Sequence, residues 1–242
     1  KHRRFLVEGP QGVREAIRHT PERVLDVYLT EAAVERHGEI WHEVVAAERY
    51  VHVASEQVMD AMSTDAQGVL AVVAAAEVTG SEALATALDG ARLVAVLTQA
   101  QDPGNAGTII RAADAAGADA VVLVRGSVDP TAPKVVRSTA GSLFHLPVVT
   151  GVALDDAVAA LHEAGLTVLA ADGRGDFDLF EAESLLEAPS AWLLGNEAHG
   201  LPSEALSRAD AVVSIPIYGK AESLNVAAAA AVCLYASARA QA

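Results

Sequence analysis

One cysteine, Cys233, in 242 residues excludes an internal disulfide and any cysteine-based metal cluster, and it fits a reducing cytoplasm. Positive charge is also scarce. Seventeen Lys and Arg stand against 32 Asp and Glu, for a net charge of −15, the wrong sign for a general nucleic-acid binder. The imbalance runs through the chain: residues 1–90 carry 8 basic and 15 acidic residues, and residues 91–242 carry 9 and 17. No apolar run reaches the roughly 18 residues that span a bilayer. The Ala-rich stretch 226–240 is interrupted by Cys233, Tyr235, Ser237 and Arg239 and reads as a buried helix, so no membrane association is expected. No signal-peptide pattern opens the chain. It starts on Lys1 rather than Met, so a native start is expected upstream, and Lys1, Arg3 and Arg4 hint that it is basic. Neither G-x-G-x-x-G nor a P-loop is present. Gly173-Arg174-Gly175 lacks the third glycine and reads as a turn. The eight histidines show no metal-ligand spacing, so no metal is expected. Ser223 has no evident His/Asp partners for a hydrolase triad.

What is present is a core. Hydrophobic residues make up 52% of the chain and mean hydropathy is +0.28, which favours a well-buried globular protein. Residues 1–76 read as a small α/β domain. Helices are expected at Pro10–His19, Glu31–Glu48 and from an N-cap at Ser55 to Met62, with strands at 24–29, 50–53 and 68–75. Residues 77–90 read as a linker around Thr79-Gly80, with a short helix from Ser81 that stops at Asp89-Gly90. Residues 91–242 have the rhythm of a mostly parallel sheet. Strands are expected at 93–97, 120–124, 146–149, 167–171, 191–194 and 211–215, with helices at 105–116, 132–143, 154–164, 203–208 and 226–240 and an irregular acidic stretch at 172–189.

Three segments lie where the chemistry of an open α/β sheet belongs, beyond the carboxyl ends of its strands. Pro103-Gly104-Asn105-Ala106-Gly107-Thr108-Ile109-Ile110-Arg111 follows the strand ending at Leu97. Leu194-Gly195-Asn196-Glu197-Ala198-His199-Gly200 closes the strand ending at Leu194. Ile215-Pro216 through Glu222-Ser223-Leu224-Asn225-Val226 follows the strand ending at Ile215. This shared address favours one pocket over three unrelated loops. His199, between glycines, reads most simply as a loop histidine bonded to backbone.

These residues carry a resemblance to the SpoU (TrmH-like) family of RNA ribose 2′-O-methyltransferases, in the SPOUT superfamily. N-x-G-x-x-x-R is matched by Asn105, Gly107 and Arg111. L-G-x-E-x-x-G is matched by Leu194, Gly195, Glu197 and Gly200. I-P-x-x-G-x-x-x-S-L-N-V is matched by Ile215, Pro216, Gly219, Ser223, Leu224, Asn225 and Val226. Pro133-Lys134 through Arg137-Ser138 to Gly141 resembles the basic segment that these enzymes carry between the first two motifs. Gly9, Val13, Glu15, Ala16 and Ile17 resemble the start of the family's small substrate-binding domain. His145 departs from the pattern, standing where many relatives have Arg.

The resemblance implies a trefoil knot in the C-terminal domain and bent S-adenosylmethionine as methyl donor. It places the donor at Leu194, Gly195, Asn196, Gly200, Ile215, Pro216, Gly219 and Leu224. The glycines would permit close approach and positive φ, and Leu194, Ile215 and Leu224 would hold the adenine. It implies catalytic roles for Asn105, Arg111, Glu197, Ser223 and Asn225. Arg111 acts on the 2′-hydroxyl; because a guanidinium stays protonated, it is expected to anchor phosphate and the developing alkoxide. Asn105 would orient Arg111 or the ribose, and Ser223 would also cap the last helix. Arg3, Arg4, Lys134, Arg137 and Lys220 are candidates for RNA contact. A cytoplasmic homodimer acting on RNA follows, with ribosomal RNA preferred over tRNA. A catalytically silent knotted RNA-binding protein and a small-molecule enzyme are the rival readings.

Overall fold

The computed structural model describes residues 3–76, 78–196 and 200–242, in two compact units. The first holds residues 1–76 and 129–145, the second residues 77–128 and 146–242.

In the first unit the chain runs β1 (Arg4–Glu8), α1 (Pro10–His19), β2 (Val24–Thr30), α2 (Glu31–Arg36), α3 (Gly38–Ala46), β3 (Tyr50–Ala54), α4 (Glu56–Met62) and β4 (Val69–Ala74). The sheet order is β1-β4-β2-β3. β4 is antiparallel to both neighbours, and β2 is parallel to β3. Ser55 caps α4 as its sequence position suggests, accepting from Val58 N at 3.3 Å. The helix expected over 31–48 is broken at His37, whose N–H closes α2 on the Ala33 carbonyl before the chain restarts at Gly38. β1 had no counterpart in the sequence reading. It exists because five residues pair with β4, from Arg4↔Ala74 to Glu8↔Leu70.

The second unit begins with α5 (Ser81–Leu88), β5 (Leu93–Leu97), α6 (Pro103–Ala115) and β6 (Ala120–Leu123). Residues 81–88, inside the stretch read as a linker, bury Leu84 and Leu88 in the core of this unit. Next in sequence come α7 (Pro133–Thr139) and a 3-10 turn at Ser142–Phe144, within the segment that clusters with the first unit. The helix expected over 132–143 stops early because Ala140 and Gly141 both take positive φ, 51° and 105°. The chain then forms β7 (Val148–Thr150), α8 (Leu154–Glu163), β8 (Thr167–Ala171), β9 (Phe177–Asp178), α9 (Glu183–Leu186), β10 (Ser190–Leu194), α10 (Ser203–Arg208), β11 (Ala211–Ser214) and α11 (Val226–Ala240).

The strand order is β7-β6-β5-β10-β8-β11-β9, every pair parallel. Every residue of β5, β6 and β10 is buried, as continuous Val/Leu/Ala runs require in a sheet covered on both faces. From β5 the chain steps outward through β6 to β7, then crosses to β8 on the other side. The reversal lies between β5 and β10, where ligands of open α/β sheets bind. The last helix is pinned there by a buried polar contact: Trp192 Nε1 donates to Ser237 Oγ at 2.9 Å. Removing that acceptor would strand a buried donor, at about 1–3 kcal/mol.

Candidate active site

Residues beyond β5, β10 and β11 build the site. The β5 exit is latched to β10 by Thr98, buried, whose N–H and Oγ1 both reach the Leu194 carbonyl at 2.9 Å. Gln99 follows at φ 55°, an uncommon conformation for a non-glycine. Its carbonyl accepts from Asn196 Nδ2 at 3.0 Å, tying the first loop to the second. Asp102 then starts α6, accepting from Asn105 N at 2.8 Å with Pro103 in the first turn. The helix expected from residue 105 thus begins earlier, at Pro103, and Asp102 was not among the expected site residues; Asp-Pro ahead of the helix is the signal that marks the cap.

The second loop closes on itself through paired bonds, Asn196 N to Gly200 O at 3.0 Å and Gly200 N to Asn196 O at 2.8 Å. Gly200 requires its glycine at φ 67°. Gly195 requires one for a different reason: a Cβ there would lie 2.6 Å from Leu201 N. The close approach is therefore backbone on backbone within the loop. Glu197 and His199 lie outside the described residues.

The third segment, residues 215–224, is extended and open. Among the described residues, none of its backbone or side-chain groups makes a hydrogen bond. Ile215 and Pro216 are half-buried, and Leu224 is 40% exposed. Gly219 has neither a positive φ nor a neighbour within 4 Å, so the conformational reason expected for glycine is absent there. The segment ends at Asn225, which caps α11 by accepting from Ala227 N at 2.9 Å and Ala228 N at 3.4 Å. Asn225, not Ser223, performs the capping; Ser223 is exposed.

The first and third motifs meet in one contact. Asn225 Nδ2 donates to Asn105 Oδ1 at 3.1 Å, across 120 residues of sequence. Arg111 stands apart. Six residues along α6, it lies about 9 Å up the axis and about 120° around from Asn105, so the helix does not let Asn105 orient it. Arg111 is exposed, and its guanidinium has no partner among the described residues. Leu194 lies at the β10 exit. It is buried in β10, and its carbonyl accepts from Thr98, which fixes the start of the second loop.

The expected RNA-contacting cations divide. Arg3, Arg4, Lys134 and Lys220 are exposed. Arg137 is committed within its own unit. It pairs with Glu8, whose side chain is 7% exposed and also accepts from Ser63 Oγ, and with Asp65 at 3.1 Å. It neutralises a buried carboxylate while remaining exposed itself. At the far end of the second unit's loops, Asp172 lies against Gly200, and the Arg174 guanidinium at 3.0 Å holds its carboxyl below the usual range.

The donor set fits an adenosine-bearing ligand. The segment 215–224, between β11 and α11, offers backbone donors and acceptors with no partner among the described residues, beside apolar Ile215 and Leu224.

Known proteins share this arrangement. Residues 92–235 match the SpoU rRNA Methylase family, and residues 6–79 match the domain described as RNA 2′-O ribose methyltransferase substrate binding. The 23S rRNA (guanosine(2553)-2′-O)-methyltransferase RlmP of Bacillus subtilis is 43% identical over 157 residues, 64% of this chain and 59% of that one. The 23S rRNA (guanosine-2′-O-)-methyltransferase RlmB of Pseudomonas putida is 30% identical over 238 residues, 96% of this chain and 95% of that one. The crystal structure of the SpoU methyltransferase AviRb from Streptomyces viridochromogenes, in complex with the cofactor AdoMet, superposes with a TM-score of 0.81 at 31% identity, covering 98% of this chain and 90% of that one. With residues 6–79 and 92–235 matched by the family's two domains and a full-length relative 30% identical, the chain belongs to the SpoU family of RNA 2′-O-ribose methyltransferases.

Proposed function

We propose that this protein transfers a methyl group from S-adenosylmethionine to a ribose 2′-hydroxyl of ribosomal RNA, as a cytoplasmic homodimer. The observation that carries the site is the Asn225–Asn105 hydrogen bond, which joins the first and third motifs at the sheet's switch point.

The donor supplies an electrophilic methyl on a sulfonium. The protein's task is to hold that donor, place the 2′-oxygen in line, and accommodate the charge that develops as the hydroxyl loses its proton. Positioning of this kind can supply about 7–11 kcal/mol of the barrier. Ile215 and Leu224 would hold the adenine, and the backbone groups of 215–224 would hydrogen-bond the adenosine. Gly195 and Gly200 keep the neighbouring loop closed enough to support that stretch, with Asn196 fixing it to Gln99. Asn105, held by Asn225, orients the RNA ribose. Ser223 and Glu197 contact the RNA or a cation beside it. Arg111 anchors a phosphate and the developing alkoxide. Its position around α6 from Asn105 is suited to the site of a second copy, as is its exposure without a partner among the described residues. Arg3, Arg4, Lys134 and Lys220 supply further phosphate contacts, and residues 1–76 act as the RNA-binding domain.

Labelled methyl transfer to ribosomal RNA by wild type and by Arg111→Ala tests this reading. Wild type should transfer and the variant should not; equal transfer by both would remove Arg111 from the site. Mixing Arg111→Ala with Asn105→Ala tests the shared site. Restored transfer is expected, and a mixture as inactive as either variant would place Arg111 in its own chain's site.

A further inference from the structure

The first unit brings together three side chains that are far apart in sequence and unused by methyl transfer. Glu15 and His19 sit one turn apart at the end of α1, and His145 follows the 3-10 turn at Ser142–Phe144. His145 Nε2 lies 3.0 Å from Glu15 Oε2, and His19 Nε2 lies 3.3 Å from the same oxygen. The two imidazole centroids are 4.3 Å apart. The one ligand atom offered by each residue lies within 4.8 Å of the other two.

We propose that Glu15, His19 and His145 form a binding site for a late first-row divalent cation, with Zn²⁺ as its ordinary occupant. Two imidazole nitrogens and one carboxylate oxygen are a donor set suited to Zn²⁺, Ni²⁺ or Cu²⁺ and poorly suited to Mg²⁺ or Ca²⁺. Bonds of about 2.0–2.2 Å at tetrahedral angles place ligand atoms about 3.3 Å apart. Two edges of the triangle already match. The third closes by rotation of His19, whose side chain is 48% exposed. The carboxylate is held in place from below. Gly141, at φ 105°, lies under the Glu15 side chain so closely that a Cβ there would stand 2.8 Å from Glu15 Cβ. Water would complete the coordination as the fourth ligand. Such an ion would staple the end of α1 to the segment 129–145, which joins this unit from a distant part of the sequence. Sequence spacing could not reveal the site, because His145 is 130 residues from Glu15.

Calorimetric titration with Zn²⁺ alone, and the visible spectrum of the Co²⁺-substituted protein, test the site in wild type, His19→Gln and His145→Gln. His162→Gln, in the second unit, controls for surface histidine binding. Wild type and His162→Gln should bind one Zn²⁺ and give the intense bands of low-coordinate Co²⁺, and each triad variant should weaken binding by about tenfold or more. Zn²⁺ should also raise the melting temperature of wild type and leave that of the triad variants unchanged. Circular dichroism establishes that each variant is folded. No saturable uptake by wild type, or uptake that both triad variants retain, would overturn the proposal and leave the cluster as two imidazoles hydrogen-bonded to one carboxylate.

Discussion

Replacing Asn225 separates the two tasks that its side chain performs. Its oxygen caps α11 on Ala227 N and Ala228 N, while its nitrogen holds Asn105. Asn225→Ala removes both. Loss of the cap costs about 1 kcal/mol, and the partly solvated bond to Asn105 contributes about 0.5–1 kcal/mol more. For a chain of this size each kcal/mol lowers Tm by about 2–4 °C, so the alanine variant should melt about 3–8 °C below wild type. Asn225→Asp keeps an oxygen that caps well and adds a charge favoured at a helix N-terminus, but it has no N–H for Asn105. Its Tm should stay within about 2 °C of wild type. If the bond to Asn105 positions the ribose, losing about 1 kcal/mol of it lowers kcat/KM roughly fivefold. Both variants should show that loss, although only one is destabilised. Thermal unfolding by circular dichroism and labelled methyl transfer read the two effects separately. An aspartate variant with wild-type kcat/KM would refute the positioning role, and an alanine variant with wild-type Tm would refute the cap.

Gly195→Ala places a Cβ 2.6 Å from Leu201 N, against backbone that cannot yield cheaply, so donor binding measured by calorimetry should be lost; a variant that binds like wild type would show that the loop has slack. Burial pushes the Cys233 thiol up to about 12, so iodoacetamide should leave it unmodified at pH 8.5 until the protein unfolds, and rapid labelling of the native protein would contradict its burial in α11. Asp172 has its pKa depressed, so it binds fewer protons folded than unfolded, and its contribution is present above the ordinary aspartate range and lost as pH falls through the folded value. Arg174→Ala should move that acid-side loss of Tm to higher pH; an unchanged acid limb would mean that the pair contributes nothing.

Much of the second unit is legible because its strands are continuous apolar runs; the α6 start is not, since the helix expected from residue 105 begins at Pro103 behind the Asp102 cap. What escaped depended on partners distant in sequence. β1 is a strand only through pairing with β4. Arg137 is an exposed cation, as its sequence suggests, but its pairing with the buried carboxylate of Glu8 is set only by the fold. Leu194 and Ser223 were read from motif positions. In three dimensions Thr98 takes the Leu194 carbonyl and Asn225 takes the cap. The motifs located the candidate site at the strand ends, but could not apportion tasks among neighbouring residues. Helical geometry adds what the spacing N-x-G-x-x-x-R conceals, that its first and last residues do not share a face.

The central claim is chemical: a methyl group moves from S-adenosylmethionine to a ribose 2′-oxygen. The direct measurement is to incubate the protein with isotope-labelled donor and ribosomal RNA, digest the RNA to nucleosides, and locate the label by mass spectrometry. Label is expected in a 2′-O-methylnucleoside, on the ribose fragment, with none from Arg111→Ala. Label on a base, or no transfer by a folded protein that binds the RNA, would contradict it.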